Sequence, residues 1–248
     1  DIGQAPDFIA AVCALIKWAA VDHLHLVGDI FDRGPRADII MDSLLNYHSV
    51  DIQWGNHDIL WMGAACGSQA CIAAVVRNCL SYNNISVLEQ GYGISLRQLE
   101  RFAQSTYADS DVSRWIPHAD PRTAAGDLTA AAQMHKAVTV MMLKLEAQVI
   151  ARNPDFDLQG RDFLNHIDFA AGTVDYHGTV YPLLDCDFPT VDPAAPTTLT
   201  AEEAHVIAGL VRSFAESERL QRHVQFLYAH GAFYKICNGN LLYHGAVP

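Results

Sequence analysis

None of the six cysteines forms a CxxC pair, and none of their spacings is that of a zinc finger. A disulfide framework or a zinc ribbon is therefore excluded as the organising device. The pattern reads as buried free thiols in a reducing compartment, the cytoplasm. Positive charge is also scarce: 16 Lys and Arg stand against 28 Asp and Glu, a net charge of −12. Phosphate backbones demand basic patches, so nucleic acid is excluded as a partner, whereas the acidic excess suits divalent cations. Long apolar runs are missing too. Phe8–Val21 is apolar but short and carries Lys17, which excludes a membrane span and a signal peptide. There is no internal repeat and no low-complexity segment. What remains is a chain of 248 residues, half of them hydrophobic and 18% charged. That is enough for the core of one large α/β domain.

The chain is organised around one stretch, His25 to Asp58, HLVGDIFDRGPRADIIMDSLLNYHSVDIQWGNHD. Two short apolar runs, His23–Val27 and Val50–Trp54, each stop at a polar cluster that begins with Gly. Between them Arg36–Tyr47 carries Ile39, Ile40, Leu44 and Leu45 at helical spacing, after a Pro at the helix start. The pattern is strand–helix–strand. Handedness makes the two strands parallel and places both polar clusters at one carboxyl-terminal sheet edge. Asp29, Asp32, Arg33, Asn56, His57 and Asp58 then converge on one crevice. His23 and His25 alternate with Leu24 and Leu26 and read as structural polar residues of a sheet face.

Elsewhere, Pro6–Ala20 reads as a helix with Phe8, Ile9, Val12, Ile16 and Ala20 on one face. Ile59–Leu80 is helical with a break at Gly67–Ser68, and Ser95–Phe102 is a short helix after the turn at Gly91–Gly93. Ala103–Asp127 is polar and Pro-punctuated. Thr129–Ala151 is the longest helix, with Met141 and Met142 as core filler. Thr173–Leu183 reads as a hairpin, and Thr200 with Glu203 opens a helix running to about Gln225. Asn238–Gly239 joins a second hairpin, Phe233–Cys237 with Leu241–His244. The whole reads as one domain over 1–248, with a helical insert at roughly 59–161 between pieces of a sheet core.

The two Gly-led clusters carry the chemistry. A carboxylate at a strand end, Asp29, can bridge two divalent cations, and Asn56 offers a neutral carbonyl oxygen beside it. His57 is placed as general acid for a leaving alkoxide, with Asp32 orienting its ring. The planar fork of Arg33 can take two phosphoryl oxygens, a geometry that Lys cannot match. Either motif alone is equally a loop of solvated charges. Both in order, each after a strand and with a helix between, indicate a metal-dependent phosphoester site.

GDIFDRGP and GNHD resemble the motifs of the calcineurin-like metallophosphoesterases. DHLHLVGDIFDRGPRADIIMD, SVDIQWGNHDILWMGAA, LEQGYGISLR, DFPTVDP, LTAEE, SERLQRHVQFLY and NGNLLYHGAVP are similar to the class III, Firmicutes-type fructose-1,6-bisphosphatases, from about Ala5 to Pro248. The resemblance implies an α/β fold: a calcineurin-like β-sandwich core flanked by helices, with a large helical insert. It implies a two-metal site for Mn²⁺ or other divalent cations, with Asp29 bridging and Asn56 and His244 as ligands. It assigns His57 and Asp32 to an acid dyad and Arg33 to phosphate. The implied substrate is a small sugar bisphosphate, cleaved at the 1-phosphate in gluconeogenesis, by a protein that could be a homo-oligomer. Arg36, Arg97, Arg101, Arg161 and Lys235 are candidates to clamp the second phosphate. The family's Asp-x-His motif has no counterpart before Asp29, and its final histidine motif would lie beyond Pro248. The expectation is thus a fragment incomplete at both ends, lacking the first and last metal-binding motifs. A phosphoprotein or dinucleotide phosphoesterase, or a non-catalytic phosphate-binding remnant, stays open as an alternative.

Overall fold

A computed structural model describes residues 2–118 and 128–246 of this chain. The end of the polar, Pro-punctuated stretch, 119–127, and the last two residues of the HGAVP motif lie outside the described residues. The first helix, α1 (Ala5–Ala20), begins with Pro in its first turn, where the missing N–H costs nothing. Its expected packing face does not pack: Phe8, Ile9, Val12, Ile16 and Ala20 are exposed.

The strand–helix–strand unit forms as the sequence indicates. Strand β1 (Leu24–Leu26), helix α2 (Ala37–Leu45) and strand β2 (Val50–Gln53) follow in order, and β1 lies parallel to β2 with His25 opposite Asp51. All four residues of β2 are buried, as a strand covered on both faces requires. Helix α2 is rotated from expectation. It buries Ala37, Asp38, Met41 and Leu44 and exposes Ile39 and Ile40. Ion pairs fix that rotation: Arg219 reaches both Asp38 and Asp42, and His223 Nε2 lies 2.9 Å from Asp42 Oδ1.

Helices α3 (Asn56–Ala65) and α4 (Gln69–Ser81) follow, separated at Gly67, which takes φ +86°, and Ser68, which caps α4. Helix α5 is Arg97–Thr106 and α6 is Thr129–Arg152. Strands β3 (Ile167–Asp168), β4 (Thr173–Tyr176) and β5 (Thr179–Pro182) make an antiparallel sheet. The long helix expected after Thr200 is two, α7 (Ala201–Glu216) and α8 (Glu218–His230). They divide at Ser217, whose hydroxyl donates to the Tyr92 carbonyl at 2.6 Å and caps α8. Strand β6 (Gly231–Ala232), absent from the sequence reading, pairs in parallel with β2. Strands β7 (Tyr234–Cys237) and β8 (Asn240–Tyr243) form the Asn-Gly hairpin, with Asn238 and Gly239 both at positive φ.

The fold is α/β but mostly helical, which corrects the β-sandwich core that the resemblance implied. Among the described residues the sheets are a parallel β1–β2–β6 patch, the antiparallel β3–β4–β5 patch and the β7–β8 hairpin, none closed or curled. Strands of two to four residues cannot bury a sandwich face, so the core forms between helices. Ile72, Val76 and Leu80 of α4 meet Val138, Met141 and Leu145 of α6 and Ile207, Leu210 and Phe214 of α7 in one buried cluster. The thiols also differ from expectation. All six are unpaired, but only Cys79 is buried, and burial pushes its pKa up to about 12. No helix among the described residues is long and apolar enough to cross a membrane.

Two lysines of α6 are buried without exposed surface and tie the 185–203 segment to the core. Lys136 Nζ lies 3.0 Å from Asp185 Oδ2, and Lys144 Nζ donates to Glu203 Oε2 and to the Thr190 carbonyl, each at 2.7 Å. Glu203 in turn accepts from the Thr200 N–H and closes the capping box of α7. Lys144→Ala leaves that buried carboxylate uncompensated and should cost about 3–5 kcal/mol. Lys144→Met with Glu203→Leu should recover much of the loss. Denaturant midpoints check this, and a single-variant loss below about 1 kcal/mol, as for an exposed pair, contradicts it.

Candidate metal centre

The site grows out of how β1 and β2 end. At the close of β1, Gly28 and Asp29 both take the left-handed conformation, φ +84° and +55°, so the chain reverses within two residues. A Cβ on Gly28 would lie 2.4 Å from the Gly55 nitrogen, so only glycine lets the two strand ends approach this closely. Phe31 then drops into the core against Trp61, with ring centroids 4.9 Å apart, and turns the polar members of the loop outward.

Asp58 ties the two loops together. It is fully buried, and its carboxylate accepts the backbone N–H groups of Asp29 at 2.8 Å, Gly55 at 2.9 Å and Phe31 at 3.3 Å. Burial pushes its pKa up against the pull of those hydrogen bonds. The sequence reading placed Asp58 in the crevice. In the structure it stands behind the site as the anchor of its backbone.

Asp29, Asp32 and His57 come together, each offering a ligand atom within 4.8 Å of the others. Asp29 Oδ1 accepts the His57 backbone N–H at 3.0 Å, and His57 Nε2 lies 3.0 Å from Asp32 Oδ1. His244, just beyond β8, reaches the same place from the far end of the chain. Its Nδ1–H donates to the Val27 carbonyl at 2.6 Å, and its Nε2 sits 3.1 Å from Asp29 Oδ2. A carbonyl only accepts, so Nδ1 carries a proton and Nε2 is the ring nitrogen turned to the Asp29 carboxylate. Both groups could share one cation there, and the bond to Val27 is the kind that orients a ligating histidine.

Asn56 opens α3 beside this group with its side chain exposed. Arg33 is exposed, its Nε 3.2 Å from Asp32 Oδ1 and its guanidinium over the Tyr82 ring, 5.0 Å from the centroid. The candidate clamps for a second phosphate do not gather here. Arg36 pairs with Asp38 and Lys235 with Asp51, and Arg97, Arg101 and Arg161 are exposed on other segments.

A second group escaped the sequence reading as a set of ligands. His23, His25 and Asp51 also present ligand atoms within 4.8 Å of one another. Burial works to raise the Asp51 pKa, yet hydrogen bonds from Lys235, His25, Gln53 and His23 hold it well below the usual carboxylate range. The signal was in the sequence: a His-x-His strand beside a strand with Asp at the facing position. The two His/Asp groups suit a divalent metal through their imidazole and carboxylate donors.

A family model described as Firmicute fructose-1,6-bisphosphatase matches residues 1–248. Among curated proteins, the chain is 49% identical over 249 residues to the class 3 fructose-1,6-bisphosphatase of Alkaliphilus metalliredigens, covering 100% of this chain and 37% of that protein. It is 51% identical over 248 residues to that of Bacteroides fragilis, covering 99% and 37%. For one from Clostridium beijerinckii the figures are 48% over 250 residues, 100% and 38%. The chain thus spans little more than a third of the length of these relatives. No solved structure matches it. The expectation of a calcineurin-like piece without its metal-binding motifs is corrected on two counts. The family match runs over every residue, and two groups of potential metal ligands are present.

The close approach at Gly55 gives a test of the geometry. A Cβ there would stand 2.1 Å from Asp29 Oδ1 and 2.4 Å from the Asp29 nitrogen. Gly55→Ala should therefore displace Asp29 and weaken divalent-metal binding by at least about tenfold while the helical circular dichroism is kept. Unchanged affinity by calorimetric titration with Mn²⁺ contradicts the arrangement.

Proposed function

Because the chain belongs to the Firmicute fructose-1,6-bisphosphatase family, we propose that the protein hydrolyses the 1-phosphate of fructose 1,6-bisphosphate to fructose 6-phosphate and phosphate. The observation that carries the reading is the family match over residues 1–248. The meeting of Asp29, His57 and His244 at the ends of β1 and β2 supports it chemically. A gluconeogenic, cytoplasmic enzyme acting on a small sugar bisphosphate is part of the same proposal.

Asp29, Asn56 and His244 would hold Mn²⁺, an ion for which carboxylate, amide and imidazole donors are suited. Divalent cations at such a site supply charge neutralisation at the phosphoryl group and a lowered pKa for the attacking water. The chain's own residues do the rest. His57, its Nε2 paired with Asp32 at 3.0 Å, holds a proton at its other ring nitrogen, Nδ1, for the departing sugar oxygen. Once that proton is given, the Asp32 carboxylate steadies the ring for reprotonation from solvent. Arg33, whose plane is supported by the Tyr82 ring, takes two phosphoryl oxygens and orients the ester. The positive φ at Asp29 turns its carboxylate toward both His57 and His244, so one residue serves both sides of the crevice.

Phosphate release with added Mn²⁺, measured in parallel on fructose 1,6-bisphosphate, a phosphopeptide and diadenosine tetraphosphate, tests the substrate. The sugar bisphosphate should be turned over fastest, and preference for either of the others overturns the assignment. Asp29→Asn should lower the rate by orders of magnitude and weaken metal binding, as loss of a shared carboxylate predicts. His57→Ala should lower sugar-phosphate hydrolysis by about 10²–10⁴-fold with metal content retained. That defect should shrink on p-nitrophenyl phosphate, whose leaving group needs no proton. An equal loss on both substrates removes His57 from the acid role.

A further inference from the structure

The group behind the phosphoester site has the build of a metal site in its own right. His25 on β1 stands opposite Asp51 on β2, and His23, just before β1, reaches the same carboxylate. His23 Nε2 is 2.5 Å from Asp51 Oδ2, and His25 Nδ1 is 2.9 Å from the same oxygen. Lys235 Nζ, from β7, lies 2.5 Å from it as well. Three donors thus crowd one oxygen, at the point where a cation would sit. His23 Nδ1 rests on the Ser49 hydroxyl at 2.7 Å, the outer contact that fixes a ligating ring.

A fourth ligand atom, an oxygen, is at hand. Gln53 is 1% exposed, its Nε2 donates to Asp51 Oδ1 at 2.7 Å, and its Oε1 is buried without a partner. Such an orphan acceptor is costly to leave unpaired. A half-turn of the amide exchanges its two ends and presents the oxygen. A cavity of about 340 Å³ borders His23, Asp51, Gln53 and Lys235, and the imidazoles keep some solvent exposure, so an ion has a way in.

We propose that His23, His25, Asp51 and Gln53 form a second metal site, separate from the Asp29 group, for a borderline-soft divalent ion such as Zn²⁺. In this site the Lys235 ammonium holds the cation's place and is displaced when the ion binds. Two imidazoles with two oxygens favour Zn²⁺ over Mn²⁺, whose preference is for oxygen. Displacement of Lys235 keeps Asp51 paired with a cation: a singly charged ammonium leaves as a doubly charged ion arrives. The site joins β1 and β2 to the hairpin only when the metal is absent, because Lys235 belongs to β7.

Co²⁺ serves as the probe, since its tetrahedral complexes absorb strongly in the visible. The titration uses the Asp29→Asn chain, so that the first site does not contribute. One tetrahedral Co²⁺ per chain, displaced by Zn²⁺, is expected. His23→Ala or His25→Ala should weaken it by at least about tenfold, whereas Lys235→Met should tighten it, having removed the competitor. Absence of tetrahedral bands, or unchanged affinity in a folded histidine variant, overturns the proposal. Should a histidine variant unfold, Lys235→Met decides, because it keeps every ligand: unchanged or weaker binding then overturns the site.

Discussion

A single buried carboxylate holds the functional end of this molecule in shape. Asp58 collects the N–H groups of Asp29, Phe31 and Gly55, three donors from two loops that lie some 26 residues apart in sequence. Those donors would otherwise be orphaned where the backbone leaves β1 and β2. With them satisfied, Gly28 and Gly55 can touch, Asp29 can hold its left-handed conformation, and Phe31 can seal against Trp61. Asp29 and the two loops that face the crevice are placed by this arrangement behind it.

The same economy recurs around the parallel patch. Asp38 and Asp42 on α2 receive Arg219 and His223 from α8, and α8 runs directly into β6, the third strand. Asp51 receives Lys235 from the β7–β8 hairpin, and the hairpin delivers His244 to Asp29. The last forty residues therefore act as a brace across a unit built from the first sixty. Buried polar groups set positions here, while the apolar cluster of α4, α6 and α7 supplies the bulk of the stability.

Much of this was legible because the patterns were local. The β1–α2–β2 unit followed from two apolar runs, a Pro and helical spacing, and Asn238–Gly239 announced its hairpin. Two-residue β6 carries no periodicity to read, and it exists because Gly231 packs where a Cβ would strike the Trp54 indole. The rotation of α2 was hidden because apolar spacing favoured Ile39 and Ile40, whereas ion pairs to a helix some 180 residues away turned them out. Asp58 looked like a member of the site because its neighbours are. Only the loop geometry shows its carboxylate turned back onto the backbone. His23 and His25 read as sheet-face polars since their partner, Asp51, depended on strand register. The β-sandwich came from resemblance, and strands this short do not make one.

The central claim is that the two loops tied by Asp58 form a divalent-cation site at Asp29 with His244 as a ligand. Electron paramagnetic resonance of Mn²⁺ titrated into the protein tests it most directly. The account predicts a bound ion with nitrogen hyperfine coupling from one imidazole. That signal should be abolished in Asp29→Asn, stripped of its nitrogen coupling in His244→Ala and retained in His25→Ala. Mn²⁺ that keeps the six-line spectrum of the free hydrated ion at stoichiometric protein, or coupling that survives His244→Ala, contradicts it.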